Sequence, residues 1–207
     1  MRHIFEPGTD ASAPTLLLLH GTGGTERDLL GLGRMISPGS SLLSVRGNVL
    51  ENGMPRFFRR LAEGVFDIED LIARTEELNG FLDEAAAEHG FDRGNVVAVG
   101  YSNGANIAGS LLFHHANSLR GAILHHPMVP RRGVDIPSLS GVPIFIGAGT
   151  NDPICTRSES DELISLLEGA GATVTAHWEQ AGHQLTRTEA QAAAEWFQAS
   201  FGAGGGR

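Results

Sequence analysis

The chain has little sulfur chemistry available to it: one cysteine, Cys155, in 207 residues. No internal disulfide can form, which fits a reducing compartment. Basic residues are also in the minority, with 15 Lys+Arg against 24 Asp+Glu and a formal charge of -9. A phosphate backbone is bound by a basic face, so nucleic acid is not expected as a partner. Long apolar runs are missing too. The first, Leu16 to Leu19, is strand-length and stops at His20-Gly21, and nothing approaches the ~20 apolar residues of a membrane span. Residues 1–7 carry neither an extended apolar stretch nor a small-residue cleavage site. No membrane association and a cytoplasmic location are the expectations.

What the chain does have is an apolar share of 41%, enough for a core. Its length suggests one domain over residues 1–201, followed by a glycine-rich, flexible tail over 202–207. Short apolar runs at 15–20, 42–45, 95–99, 121–125, 142–147 and 173–178 read as strands, with 3–6 as a short edge strand. Several are continuous rather than alternating, as in strands buried on both faces. Helical patterns fall between them at 69–89, 103–115, 159–168 and 186–201. The first carries Leu71, Leu78, Leu82 and Ala85 on one face. This rhythm predicts an α/β fold with a mostly parallel central sheet and helices on both faces. Residues 47–68 match neither pattern. They follow a strand's C-terminal end, where such sheets place ligands, and so long a loop is usually functional.

The sequence Gly100-Tyr101-Ser102-Asn103-Gly104 is weak evidence by itself. With 28 glycines in the chain, a Gly-x-Ser-x-Gly match somewhere has about a one-in-four chance. Its context is stronger: Val96-Val97-Ala98-Val99 reads as a buried strand and 103–115 as a helix, the strand–turn–helix of a nucleophile elbow. The turn is tight, which explains the glycines, and it presents Ser102 at a helix N-terminus. The plain alternative is an ordinary turn that happens to contain a serine.

A serine hydroxyl needs a base. In an elbow-bearing fold the order is Ser, acid, His, and Asp152 and His183 occupy loops after the last two strands in that order. Asp152 would fix the tautomer of His183, which would take the Ser102 proton. Asp135 and Asp161 are rival acids that look solvated. His125 and His126 end a strand on the same rim, where packing is the simpler role; Cys155, three residues past Asp152, could line the site, though an inert buried thiol is its simpler reading. The run His20-Gly21-Thr22-Gly23-Gly24 follows the strand at 15–20. Its glycines would let backbone N–H groups turn inward, and the amides of Thr22 and Asn103 are the expected oxyanion donors. A phosphate loop would need Gly-x-Gly-x-x-Gly or a Gly-Lys-Ser/Thr ending, and neither is present.

Taken together, these motifs, with Ser44-Val45-Arg46-Gly47-Asn48 and His125-His126-Pro127-Met128-Val129-Pro130, resemble the carboxylesterase/phospholipase branch of the α/β-hydrolase superfamily. That branch includes acyl-protein thioesterases and small bacterial carboxylesterases. The nearer likeness is to bacterial hydrolases related to methylhydroquinone stress. The resemblance implies a minimal α/β-hydrolase fold with no large lid domain, a Ser-Asp-His triad, no metal or other cofactor, and a possible homodimer. The thioesterases usually carry Gln where this chain has Asn103, and the Arg/Phe-rich loop after Gly47 departs from their pattern.

For the substrate, Phe57 and Phe58 are expected to supply an apolar wall, with Gly21, Arg59, His126 and Met128 completing the pocket. Arg56, Arg59, Arg60, Arg131 and Arg132 suggest an anionic or aromatic ester; their pairing with surface acids is an equal alternative. Three functions stay open. One is a serine carboxylesterase cleaving small esters or thioesters through an acyl-enzyme. Another is hydrolysis of a carbon–carbon bond in ring-derived (quinone- or catechol-related) compounds. The last is a non-catalytic small-molecule binder, against which the complete Ser, Asp, His set speaks.

Overall fold

Continuous apolar runs become strands covered on both faces. In chain order the computed structural model contains β1 (His3–Glu6), β2 (Thr15–Leu19), α1 (Leu30–Ile36), β3 (Leu42–Val45), β4 (Val49–Glu51), β5 (Met54–Arg56), β6 (Arg60–Ala62), β7 (Val65–Phe66), α2 (Ile68–His89), β8 (Val96–Tyr101), α3 (Asn103–His114), β9 (Gly121–His125), β10 (Pro143–Gly149), α4 (Arg157–Gly169), β11 (Thr173–Glu179) and α5 (Arg187–Phe201). The structure describes residues 1–202. Beyond Gly202, the expected tail lies outside the described residues.

The main sheet runs β1-β3-β2-β8-β9-β10-β11, parallel throughout except for β1, which pairs antiparallel with β3. Successive side chains of a strand point to opposite faces. Leu17 and Leu19 of β2 therefore join the core under α2, α3 and α4, while Leu16 and Leu18 join a second core under α1 and α5. Each core buries a strip of sheet against amphipathic helices, which is what a two-faced parallel sheet requires. This is the α/β-hydrolase architecture, with no large further domain among the described residues. No helix of the described residues is long and apolar enough to cross a membrane.

Helix limits follow local chemistry. Asp67 caps α2 through the Asp70 amide at 3.1 Å, and α2 ends where Gly90 takes a left-handed φ of 74°. Thr156 and Thr186 cap α4 and α5 in the same way. Helix α1 is too short to show a period in the sequence. Residues 47–67 are also more ordered than expected: they fold as two small hairpins, β4–β5 and β6–β7, lying over the C-terminal ends of the sheet strands.

Candidate active site

Strand β8 ends in a turn whose two flanking positions admit only glycine. A Cβ at Gly104 would run into the Leu19 carbonyl, and one at Gly100 would lie 2.6 Å from the Ala105 amide nitrogen. Between them Ser102 holds φ 51° and ψ -112°, a strained conformation for a residue with a side chain. Its amide donates to the His125 carbonyl at 2.9 Å, which ties the turn to β9. Ser102 is thus displayed at the N-terminus of α3.

Two loops from later strands meet it. Ser102 Oγ lies 2.8 Å from His183 Nε2, and His183 Nδ1 lies 2.7 Å from Asp152 Oδ2. The His183 loop is held by Tyr101, whose hydroxyl donates to the His183 carbonyl at 2.9 Å. Asp152 Oδ1 accepts the amides of Ile154 and Cys155 at 2.8 and 2.9 Å. Burial works to raise the Asp152 carboxyl, but the Cys155 amide, His183 and the Ile154 amide outweigh it and hold it below its ordinary value. A hydroxyl bonded to an imidazole whose other nitrogen faces an ionised carboxylate can pass its proton to that imidazole.

The cleft in front of Ser102 has a volume of about 200 Å³, and Thr22, Arg56, Arg60, Phe66, Met128 and Ile154 are among the residues that line it. Asn103, as the first residue of α3, has an amide without an intrahelical acceptor. Across the cleft, the amides of Gly23 and Gly24 are taken by the carbonyls of Pro55 and Gly21; none takes that of Thr22 among the described residues. His20 braces this loop. It donates from Nδ1 to the Gly21 carbonyl at 2.7 Å and accepts the Gly47 amide on Nε2 at 3.1 Å. Burial lowers its pKa, in keeping with a neutral ring.

Several pocket expectations are corrected. Phe57 and Phe58 are buried in the core beneath the hairpins, and the cleft is lined instead by the aromatic side chains of Phe66 and Tyr101. Phe57 contributes its backbone instead, donating its amide to Asn103 Oδ1 at 2.7 Å. Arg59 turns to solvent and pairs with Asp67 and Asp70, and Arg132 pairs with Glu159 and Glu162. Gly21 borders a neighbouring depression with His20 and Gly24. His126 is fully buried behind Asp152 rather than in the cleft wall. Met128 does line the cleft, its amide held by Asn106 Oδ1 at 2.7 Å. Tyr101, Asn106 and Phe66 were not among the expected site residues; the first two sit within one helical turn of Ser102, a signal that proximity to the elbow offers.

Among the described residues, two groups of side chains have the composition of a metal site: His126, Asp152 and His183, and, on the β1–α2 side, His3, Glu88 and His89. In the first, the facing atoms already bond one another. The second lies apart from the cleft.

The sheet order, the strained serine elbow and the two rim loops define an α/β-hydrolase. The chain belongs to the dienelactone hydrolase family, whose model matches residues 68–200, a span that includes Ser102, Asp152 and His183. It is 62% identical to MhqD of Bacillus subtilis (strain 168), a protein described as a hydrolase, over 96% of this chain and 98% of that protein. A carboxylesterase of Bacillus cereus is 66% identical and superposes with a TM-score of 0.96, covering 97% of this chain and 95% of its own. The structure of YahD with malic acid is 31% identical, with a TM-score of 0.91 over 95% of this chain and 98% of that one. The chain is a hydrolase by family.

Proposed function

We propose that the protein is a serine carboxylesterase. The observation that carries this reading is the unbroken line from Ser102 Oγ through His183 to Asp152, with contacts of 2.8 and 2.7 Å, at the mouth of a cleft. In the first half-reaction Ser102 Oγ bonds to the ester carbonyl carbon while its proton passes to His183 Nε2. The amides of Thr22 and Asn103 receive the developing oxyanion. Collapse breaks the carbon–alkoxy bond, and His183 returns the proton to the departing alkoxide. Water then repeats the sequence on the acyl-enzyme, giving the acid and free Ser102. The likeness to the Bacillus cereus carboxylesterase supports the ester as the bond cleaved. A cleft of about 200 Å³, below the usual ~300–1,000 Å³ of drug-sized pockets, suits a small ester. A cytoplasmic location and a homodimer belong to the same proposal, on the strength of the unpaired cysteine and the family resemblance.

The test is labelling by a fluorophosphonate probe together with a panel of short-chain p-nitrophenyl esters. Wild type is expected to label and to hydrolyse the short esters. Ser102→Ala is expected to lose the label and about 10⁴-fold or more of the rate. Labelling that persists in Ser102→Ala sinks the assignment.

A specific feature favours an acid-bearing ester. Arg56 is 3% exposed, lines the cleft, and bonds the Phe58 carbonyl and Thr22 Oγ1. It forms no carboxylate pair among the described residues, whereas Arg60 beside it is paired with Glu51 at 2.8 Å. Burial, then repulsion from Arg60, lowers the Arg56 pKa to about 10. Such a cation gains from an anionic substrate group, and the malic acid with which YahD was solved is a carboxylate ligand of that kind. Arg56→Gln is expected to raise KM for a carboxylate-bearing ester about tenfold and leave its neutral analogue within about twofold. Equal losses on both would remove the anion from the proposal.

A further inference from the structure

Behind Asp152 the hydrogen bonds continue. Asp152 Oδ2, which accepts from His183, lies 3.0 Å from His126 Nδ1. His126 Nε2 lies 3.0 Å from Glu189 Oε2, and Glu189 Oε1 accepts from His125 Nδ1. His125, His126 and Glu189 are each 0% exposed. Room for Glu189 comes from Gly147 on β10, since a Cβ there would overlap its carboxylate. None of these groups carries the proton that passes from Ser102 to His183.

The geometry dictates their charge. Both ring nitrogens of His126 face carboxylate oxygens, and a neutral imidazole would leave one lone pair against another. Asp152 already accepts three other hydrogen bonds, and Glu189 another from His125, so the additional proton belongs on the ring. His126 also holds a left-handed φ of 53°, anchored by its amide on the Gly147 carbonyl at 2.8 Å. Its carbonyl accepts the Cys155 thiol at 3.1 Å, so both sides of the residue are pinned.

We propose that His126 is a positioning residue for Asp152 and His183: an imidazolium held between Asp152 and Glu189 that fixes the acid and sets the charge against which His183 takes the serine proton. The inference rests on the serine esterase reading. At rest Asp152 and Glu189 are negative and His126 is positive, leaving one net negative charge. When the Ser102 Oγ–H bond breaks and the proton joins His183 Nε2, the set becomes neutral. No proton passes from Asp152 to His126. The groups facing His126 are Asp152 from the loop after β10, Glu189 from α5, His125 from β9, His183 from the loop after β11, and Tyr101 from β8 with ring centroids 6.1 Å apart. Burial works to lower the His126 pKa, but Glu189 and then Asp152 outweigh it and raise it.

A purely structural role and a charge-setting role predict different pH profiles. His126→Asn removes a positive charge and leaves two negative neighbours, so protonation of His183 is favoured and the acid limb of kcat/KM moves up by about one pH unit. Glu189→Gln removes a negative charge and moves the same limb down by a similar amount. Both variants are expected to lose about 10- to 100-fold in kcat, with KM within about threefold. The double variant is expected to return the limb toward wild type. Shifts in the same direction, or no shift, overturn the proposal.

Nitrogen NMR on histidine-labelled wild type tests the charge directly and needs no variant to fold. Both His126 ring nitrogens are expected to remain protonated above the ordinary histidine range, and a ring that is neutral as soon as that range is passed overturns the proposal. Fluorophosphonate labelling of Ser102→Ala runs in parallel. Persistent labelling would count against the esterase reading, while the NMR result reports on His126 independently.

Discussion

The rim of the sheet is made of two kinds of backbone. The turns after β8, β10 and β11 are short and held from several directions: Ser102 by β9, Asp152 by two amides and two imidazoles, and the His183 loop by Tyr101. The β4–β5 and β6–β7 hairpins facing them carry Leu50 and Leu61 at 70% and 72% exposure, and only their bases are buried, through Arg56, Phe57 and Phe58. The first region is cross-braced, so its side chains are held in fixed places. The second can change at its tips with little cost to the fold, which suits a segment that shapes a substrate cleft.

The largest break in this contrast comes from the buried base of the hairpins. Phe58 is fully buried and packs edge-on to Phe66 with centroids 5.0 Å apart. Phe58→Ala is expected to destabilise by about 3–5 kcal/mol in chemical denaturation. A loss below about 1 kcal/mol would mean that the hairpins are not anchored there.

An acid titration sharpens the other side. Burial alone would raise the Glu189 carboxyl, yet His125 and His126 hold it well below its ordinary value. A lowered carboxylate contributes stability that is fully present above the unfolded value of about 4.3 and is lost as pH falls through the folded value. The raised His126 contributes in the opposite sense, fully below about 6.5 and lost as pH rises through its folded value. Calorimetry is expected to show Tm steepest in pH between 4.3 and the lowered value, with Glu189→Gln flattening that limb. An unchanged limb in the variant would assign acid unfolding to other groups.

The smallest effect belongs to the tips. Leu61→Ser is expected to change stability by no more than about 0.5 kcal/mol and short-ester kcat by less than about twofold. A large loss of stability would show that the exposed leucine is covered in solution.

Much of this molecule was legible from sequence, for identifiable reasons. Strands β2, β8, β9 and β10 were visible because burial on both faces leaves continuous apolar runs. Ser102, Asp152 and His183 were picked out by chain order relative to those strands, and the structure brings the three together. The residues of the hairpins were not legible. Arg-Phe-Phe-Arg reads as a possible cleft lining, and which of its members face inward depends on how two short hairpins lie over the sheet. Glu189 was hidden differently: with Thr186 three residues before it, it has the spacing of a capping box, and Thr186 does accept its amide at 3.2 Å.

The sequence by itself therefore determined the layered sheet, the elbow and the chain order of Ser102, Asp152 and His183, because these depend on local periodicity and on glycines that tight turns demand. Tertiary structure alone decided that Phe57 and Phe58 anchor the hairpins, that Arg56 faces the cleft without a carboxylate partner, and that the Glu189 side chain turns inward to two buried imidazoles. Each of those outcomes turns on residues distant in the chain meeting at close range, where burial, charge and hydrogen bonding are set by neighbours that no local pattern records.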